Sequence, residues 1–253
     1  MSTKPPCLMT VWHAGKPEAP ALLLLHGFGA SHRWWVRMMD RLTQDYQIFC
    51  LDLRFRQTLP MMAEELLEWT RQKHLTRLSI LGHSLGALLG MYCAAQAPQM
   101  VERLILINPA IAIPERSLWQ WLRRCRQARA ISCHPPAKDP WYRSLSPQTC
   151  RVVLKSLRHS PLIAPVATPT LVLWGSRDPL FPLAFAPHLL HEFQAVRLLA
   201  IEGGHSLMYE FPERITPAIL RFLANGDGQQ QATPGTIEAR RLLVQGWPPT
   251  IDQ

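Results

Sequence analysis

Ser84 stands in Gly82-His83-Ser84-Leu85-Gly86, directly after the apolar run Leu78–Leu81 and at the head of a helical pattern over Leu85–Ala97. A G-x-S-x-G segment between a strand and a helix is the sequence form of a sharp nucleophile turn. The serine there sits on a strained backbone, so its neighbours must be small. Gly82 and Gly86 supply that room, Ala87 extends the run of small residues, and the following helix points its positive end at Ser84. A serine hydroxyl is a poor nucleophile until a base takes its proton, and the base needs a carboxylate to fix its tautomer and steady its charge. Two downstream segments offer these groups. Trp174-Gly175-Ser176-Arg177-Asp178-Pro179 ends the run Thr170–Trp174 with an acid, and Glu202-Gly203-Gly204-His205-Ser206 ends the run Val196–Ile201 with a histidine. All three candidates lie past the carboxyl ends of strand-like runs, where sites in open α/β sheets gather.

Each partner also has a plainer reading. Asp178 could simply close a turn before Pro179. Glu202 is a rival acid, but it lies on the strand side of the Gly-Gly pair. No acid follows the run Leu104–Ile107, where Asn108 and Pro109 stand. His13, His74, His188 and His191 fall on helices or edges, where solvent exposure is expected. A fourth element, His26-Gly27-Phe28-Gly29, follows the first long apolar run. Its Phe28 N–H, with the N–H of Leu85, would form a two-donor oxyanion hole. His26 itself is expected to hold this loop by hydrogen bonds.

These groups need a scaffold, and the apolar pattern supplies one. Strand-like runs at Ala21–His26, Gln47–Leu53, Leu78–Leu81, Leu104–Ile107, Thr170–Trp174 and Val196–Ile201 alternate with helical periods at Pro60–His74, Leu85–Ala97, Leu183–Phe193 and Pro212–Leu223. Short continuous apolar strands are what a parallel sheet covered on both faces requires. The reading is α/β, doubly wound. Two segments break the alternation: residues 112–165, rich in Trp, Arg and Pro, and residues 225–253, which open on Asn-Gly-Asp-Gly-Gln-Gln-Gln and contain a short amphipathic stretch, Ile237–Val244.

Composition narrows the class. With 253 residues, 47% of them hydrophobic and 18% charged, the chain is globular and long enough for a sizeable core. No apolar run approaches the roughly 18 to 20 residues of a membrane-spanning helix, and the first residues lack the pattern of a secretory signal. Six cysteines form no CxxC pair, and Cys50 and Cys93 sit in apolar stretches. A reducing, cytoplasmic location without a structural metal is expected. The net charge of +9 is concentrated: residues 112–165 carry ten basic residues against Glu115 and Asp139, a local excess of +8.

On the four motifs, from His26-Gly27-Phe28-Gly29 to His205, the sequence resembles α/β-hydrolase-fold enzymes, in the group of small esterases, thioesterases and peroxidase-like hydrolases with one helical lid. The likeness covers about residues 10–224. It implies a mostly parallel, doubly wound sheet with a helical lid inserted after strand 6 of the family's sheet, here the run Leu104–Ile107. The core would be 1–111 and 166–224, the basic helical lid 112–165, and the linker and tail 225–253. A serine nucleophile separates the chain from dehalogenases and epoxide hydrolases, which use aspartate. Two departures stand out. Relatives carry a glycine-rich Asp-x-x-Gly-x-Gly-x-Ser loop, but here Asp52 precedes Leu-Arg-Phe-Arg-Gln-Thr, which makes Arg54 or Arg56 a candidate at the pocket. The tail has no counterpart in the family pattern.

In the lid, Trp119 and Trp121 would cover an apolar pocket, while Arg123, Arg124 and Arg126 either solubilise it or form an anion-recognition face. Within the family, the pimeloyl-acyl-carrier-protein methyl ester esterases of biotin synthesis resemble this plan. The resemblance implies hydrolysis of an acyl ester, with an acidic acyl carrier protein or a CoA ester meeting the basic lid. Acyl-CoA or acyl-carrier thioesterase activity stays open, as does a non-catalytic binding protein on the same fold. No cofactor is required. No nucleic-acid module is recognisable despite the basic charge. Acyl length and oligomeric state are not legible.

Overall fold

Leu22 to Leu25 face alternately to the two sides of one sheet, and that alternation organises the molecule. The computed structural model describes residues 8–111, 155–156, 165–225 and 236–237. Its strands are β1 (Leu8–Ala14), β2 (Ala21–Leu25), β3 (Gln47–Leu53), β4 (Leu78–His83), β5 (Val101–Ile107), β6 (Thr170–Gly175), β7 (Val196–Ile201) and β8 (Thr236–Ile237). They join in the order β1-β3-β2-β4-β5-β6-β7-β8. From β3 to β7 every neighbouring pair is parallel, and only the edge strands β1 and β8 run antiparallel to their partners.

The helices are α1 (Val36–Asp45), α2 (Leu59–Gln72), α3 (Leu85–Gln96), α4 (Ala186–Leu190), α5 (Leu207–Glu210) and α6 (Pro212–Asn225). Leu23, Leu25, Leu51, Ile80, Leu104 and Val172 pack on one side with apolar residues of α2, α3 and α4. Leu22, Leu24, Ile48, Leu81, Ile105 and Leu173 pack on the other with those of α1, α5 and α6. Both faces of the central strands are dry, which is why they read as unbroken apolar runs instead of alternating ones.

Among the elements that escaped the apolar pattern are β1 and α1. β1 is an edge strand whose Trp12 and His13 are exposed, so it shows no buried run. α1 buries only Met38 and Leu42, one turn apart among polar residues. The stretch expected as one helix over Leu183–Phe193 is a 3₁₀ turn at Leu183–Phe185 followed by the short α4.

The interruption of the alternation falls after β5, the fifth strand in this chain's own count, where the family numbering placed it after the sixth. Apart from residues 155–156, the segment 112–164 lies outside the described residues, and with it Trp119, Trp121, Arg123, Arg124 and Arg126. From the tail, Thr236–Ile237 pairs with Leu198–Leu199 as β8; residues 238–253, including the rest of the amphipathic stretch, lie outside the described residues. Cys50 and Cys93 are free and buried, and burial raises both thiol pKa values, that of Cys93 to about 12. They behave as small hydrophobes. Among the described residues no helix is long and apolar enough to cross a membrane.

Candidate active site

β4 runs through Gly82 and His83 and ends in the elbow. Ser84 has φ 53° and ψ −118°, in the sparsely populated left-handed half of backbone space, and is 7% exposed. Such a conformation costs about 1–3 kcal/mol and persists only where its surroundings enforce it. Here they do. The Ser84 N–H donates to Ile107 O at 3.0 Å, and its carbonyl accepts from Ala87 N at 3.1 Å, Leu88 N at 3.2 Å and Ala110 N at 3.0 Å. The strain is therefore clamped between the end of β5 and the first turn of α3. A Cβ on Gly86 would strike the carbonyl oxygens of Leu25 and His26, so glycine alone lets α3 start this close to β2.

The loop after β2 lies against the elbow: a Cβ on Gly27 would sit 3.0 Å from Ser84 Cβ and 3.0 Å from His83 Nδ1. His26 holds this loop, its Nδ1–H donating to Gly27 O at 2.7 Å and its Nε2 accepting from Leu53 N at 2.8 Å. The N–H groups of Phe28 and Leu85 find no acceptor among the described residues. Two unengaged amides flanking a strained serine are what an oxyanion hole needs.

Asp178 uses both oxygens. Oδ1 accepts from Leu180 N at 2.8 Å and Phe181 N at 3.0 Å, which closes the turn, and Oδ2 accepts from His205 Nδ1–H at 2.7 Å. Asp178 thus closes the turn with one oxygen and binds the imidazole of His205 with the other. The pair is buried, with Asp178 4% and His205 9% exposed. Since the carboxylate accepts, Nδ1 carries a proton, and in the neutral imidazole the lone pair is then on Nε2. The His205 ring lies 4.8 Å, centroid to centroid, from that of His83, the residue before Ser84. The Ser84 hydroxyl makes no hydrogen bond among the described residues.

The rival groups fall away. Glu202 is 70% exposed in its side chain and pairs with Arg177 at 3.4 Å. His13, His74, His188 and His191 are all exposed. Arg54 and Arg56 are exposed too, and the residue between them, Phe55, is the buried one. Its ring meets His26 and Phe28 edge-on at 6.2 and 6.4 Å, so an aromatic wall replaces the glycine-rich loop beside the oxyanion segment.

Three polar side chains, Asn108 and Glu210 outside the motifs and His83 within the elbow, hold the His205 loop. Asn108 Nδ2 donates to Gly204 O at 3.0 Å and to His205 O at 2.7 Å, while its Oδ1 accepts from Gly175 N at 2.6 Å. His83 Nε2–H donates to the same His205 carbonyl at 2.8 Å. Glu210 accepts from Gly204 N at 2.8 Å and Ser206 N at 3.0 Å. His83 stays neutral: burial above all, then the charge of His205, lowers its pKa well below the usual histidine value. Neither Asn108 nor Glu210 belongs to any short motif. The one signal for Asn108 was its place at the end of a strand where an acid was sought. Among the described residues no cluster of His, Cys, Asp and Glu could hold a metal ion.

Comparison with known proteins places the fold. The profile described as "Alpha/beta hydrolase family" matches residues 22–218. A Stutzerimonas stutzeri protein named "Putative carbamate hydrolase RutD" is 26% identical over 258 aligned positions, covering 86% of this chain and 96% of that one. A relative of the same name from Enterobacter cloacae is 29% identical over 133 positions, and the chain spans about half its length, 48%. Among solved structures, a membrane phospholipase A described as a bacterial virulence factor superposes with a TM-score of 0.71 at 25% identity, over 84% of this chain and 81% of that one.

Proposed function

The chain belongs to the alpha/beta hydrolase family, and from that premise we propose that it is a serine hydrolase cleaving a carboxylic ester through an acyl-enzyme. Ser84 Oγ attacks the acyl carbonyl while His205 Nε2 takes its proton, and Asp178 holds the resulting imidazolium. The N–H groups of Phe28 and Leu85 receive the oxyanion. Collapse breaks the ester bond, and the leaving alcohol takes the proton from His205. Water then gives a proton to His205 and attacks the acyl carbon, and Ser84 departs with that proton, releasing the acid.

The observation that carries this reading is the strained elbow, a buried serine held at φ 53° whose neighbour His83 lies 4.8 Å, ring to ring, from the His205 that Asp178 binds. Its test is turnover of p-nitrophenyl esters of increasing chain length. Measurable hydrolysis that disappears in Ser84→Ala is expected, and hydrolysis unchanged in Ser84→Ala overturns the assignment.

The names of the RutD relatives favour a second substrate, a carbamate, whose carbonyl the same nucleophile would attack. Side-by-side kcat/KM values for matched esters and carbamates separate the two. The +8 charge of residues 112–165 supports a finer form of the ester reading, an acyl group on an acidic carrier protein or CoA. In that form kcat/KM for the carrier-bound substrate falls with added salt, and salt-independent turnover removes it. A cytoplasmic setting belongs to the same reading, supported by the two buried free thiols.

A further inference from the structure

Asn108 is fully buried, with φ 42°, in the left-handed region that asparagine tolerates better than most side chains. From the end of β5, its side chain hydrogen-bonds both the end of β6 that leads to Asp178, through Gly175 N, and the loop bearing His205, through Gly204 O and His205 O. The main chain on either side of it holds the third segment, Ser84 N–H on Ile107 O and Ala110 N–H on Ser84 O. Its own N–H donates to Leu173 O, fixing it to β6.

We infer that Asn108 is a positioning residue for the reaction proposed above: its carboxamide sets the main chain of His205 in register with Asp178 and Ser84. The inference rests on the serine-hydrolase reading. The chemistry of the pocket selects an amide. One N–H and two carbonyl oxygens converge on the side chain, so it must accept on one arm and donate twice on the other. An aspartate of the same shape would set a carboxylate oxygen against two carbonyl oxygens, and an alanine would leave Gly175 N and Gly204 O without this partner and His205 O with His83 alone. His83 supplies a second donor to the His205 carbonyl, so that oxygen is held from two sides. Displacing a catalytic group by about 1 Å lowers rate by up to about 100-fold without removing any reacting atom.

The test uses the full chain, a p-nitrophenyl ester that wild type hydrolyses, and the variants Asn108→Asp and Asn108→Ala. Folded variants are expected to lose kcat by about 10- to 100-fold with KM within about twofold. The low-field proton resonance of the His205 Nδ1–H on Asp178 is expected to shift or broaden with them. A residue that only stabilises the fold would lower the melting temperature and leave both readouts alone. Wild-type kcat and an unmoved resonance in a folded variant overturn the inference. A second readout needs no substitution: a fluorophosphonate on Ser84 perturbs His205 and is expected to shift the Asn108 side-chain NH₂ resonances of wild type. Unmoved resonances overturn it equally. A wild type that neither turns over ester nor takes the phosphonate overturns the serine-hydrolase reading, and the inference with it. An active wild type with indifferent Asn108 variants overturns the inference alone.

Discussion

Two aspartate–histidine pairs lie at the carboxyl end of the sheet, and only one of them is built for chemistry. Asp178 gives a single oxygen to His205, and the imidazole lies 4.8 Å, ring to ring, from His83, the neighbour of the strained serine. Asp52, at the end of β3, is used up by structure. It accepts from His32 Nδ1 at 2.9 and 3.1 Å, from His32 N at 2.7 Å and from Trp12 Nε1 at 3.3 Å. The Trp12 ring stacks on His32 at 4.3 Å, so the pair ties β1, β3 and the turn before α1 together. Even a sulfur nucleophile is at hand, since Cys50 Sγ approaches His32 O at 3.9 Å. Its thiol is buried, and burial followed by the charge of Asp52 pushes its pKa far above the usual value. A thiol held protonated does not attack. A carboxylate–imidazole bond is therefore a weak mark of catalysis. The strained elbow with free amides around it is the discriminating one.

The largest expected contrast is between the two nucleophiles. Ser84→Ala or His205→Ala lowers kcat by about 10⁴-fold or more, whereas Cys50→Ala leaves it within about twofold, as steady-state ester kinetics would read. Next come the acids. Asp178→Asn lowers kcat by about 10³- to 10⁴-fold because His205 is left in the wrong tautomer. Asp52→Asn keeps kcat within about threefold but weakens charge-assisted bonds worth about 1.5–3 kcal/mol, lowering the melting temperature by about 5 °C. If Asp52→Asn proves as inactive as Asp178→Asn, the comparison breaks.

A smaller effect concerns His83. Its folded-state pKa is depressed, so between that value and the unfolded value near 6.5 the unfolded chain binds a proton that the native state does not. Stability is then unaffected above pH 6.5 and falls as pH drops below it. Thermal melts from pH 7 to pH 5 should show this decline, and His83→Gln should make it shallower; identical slopes would remove His83 from the account. The smallest expectation is for Glu202→Gln, with kcat within about twofold, since that exposed side chain faces Arg177 and not His205.

Much of this was legible in the residues. β3 and β7 lie where their apolar runs begin and end, and the elbow, Asp178 and His205 follow from side-chain chemistry attached to strand ends. β1 and α1 were not legible, because a half-exposed edge strand and a helix burying two residues carry little periodic signal. The clamp on His205 was hidden for a different reason. Asn108, His83 and Glu210 act on main-chain atoms at separations of up to 122 positions, and main-chain partners leave no pattern of residue types. Phe55 shows the same limit: a loop lacking the family glycines signalled a changed wall, but not which side chain would form it.

The central claim, that the elbow and not the carboxylate–imidazole bond marks the site, is tested most directly by mapping where a fluorophosphonate attaches in wild type, Asp178→Asn and Asp52→Asn. The account predicts one adduct, on Ser84, forming at the wild-type rate in Asp52→Asn and about 10³-fold more slowly in Asp178→Asn. An adduct elsewhere, none at all, or equal labelling of Ser84 in Asp178→Asn would contradict it.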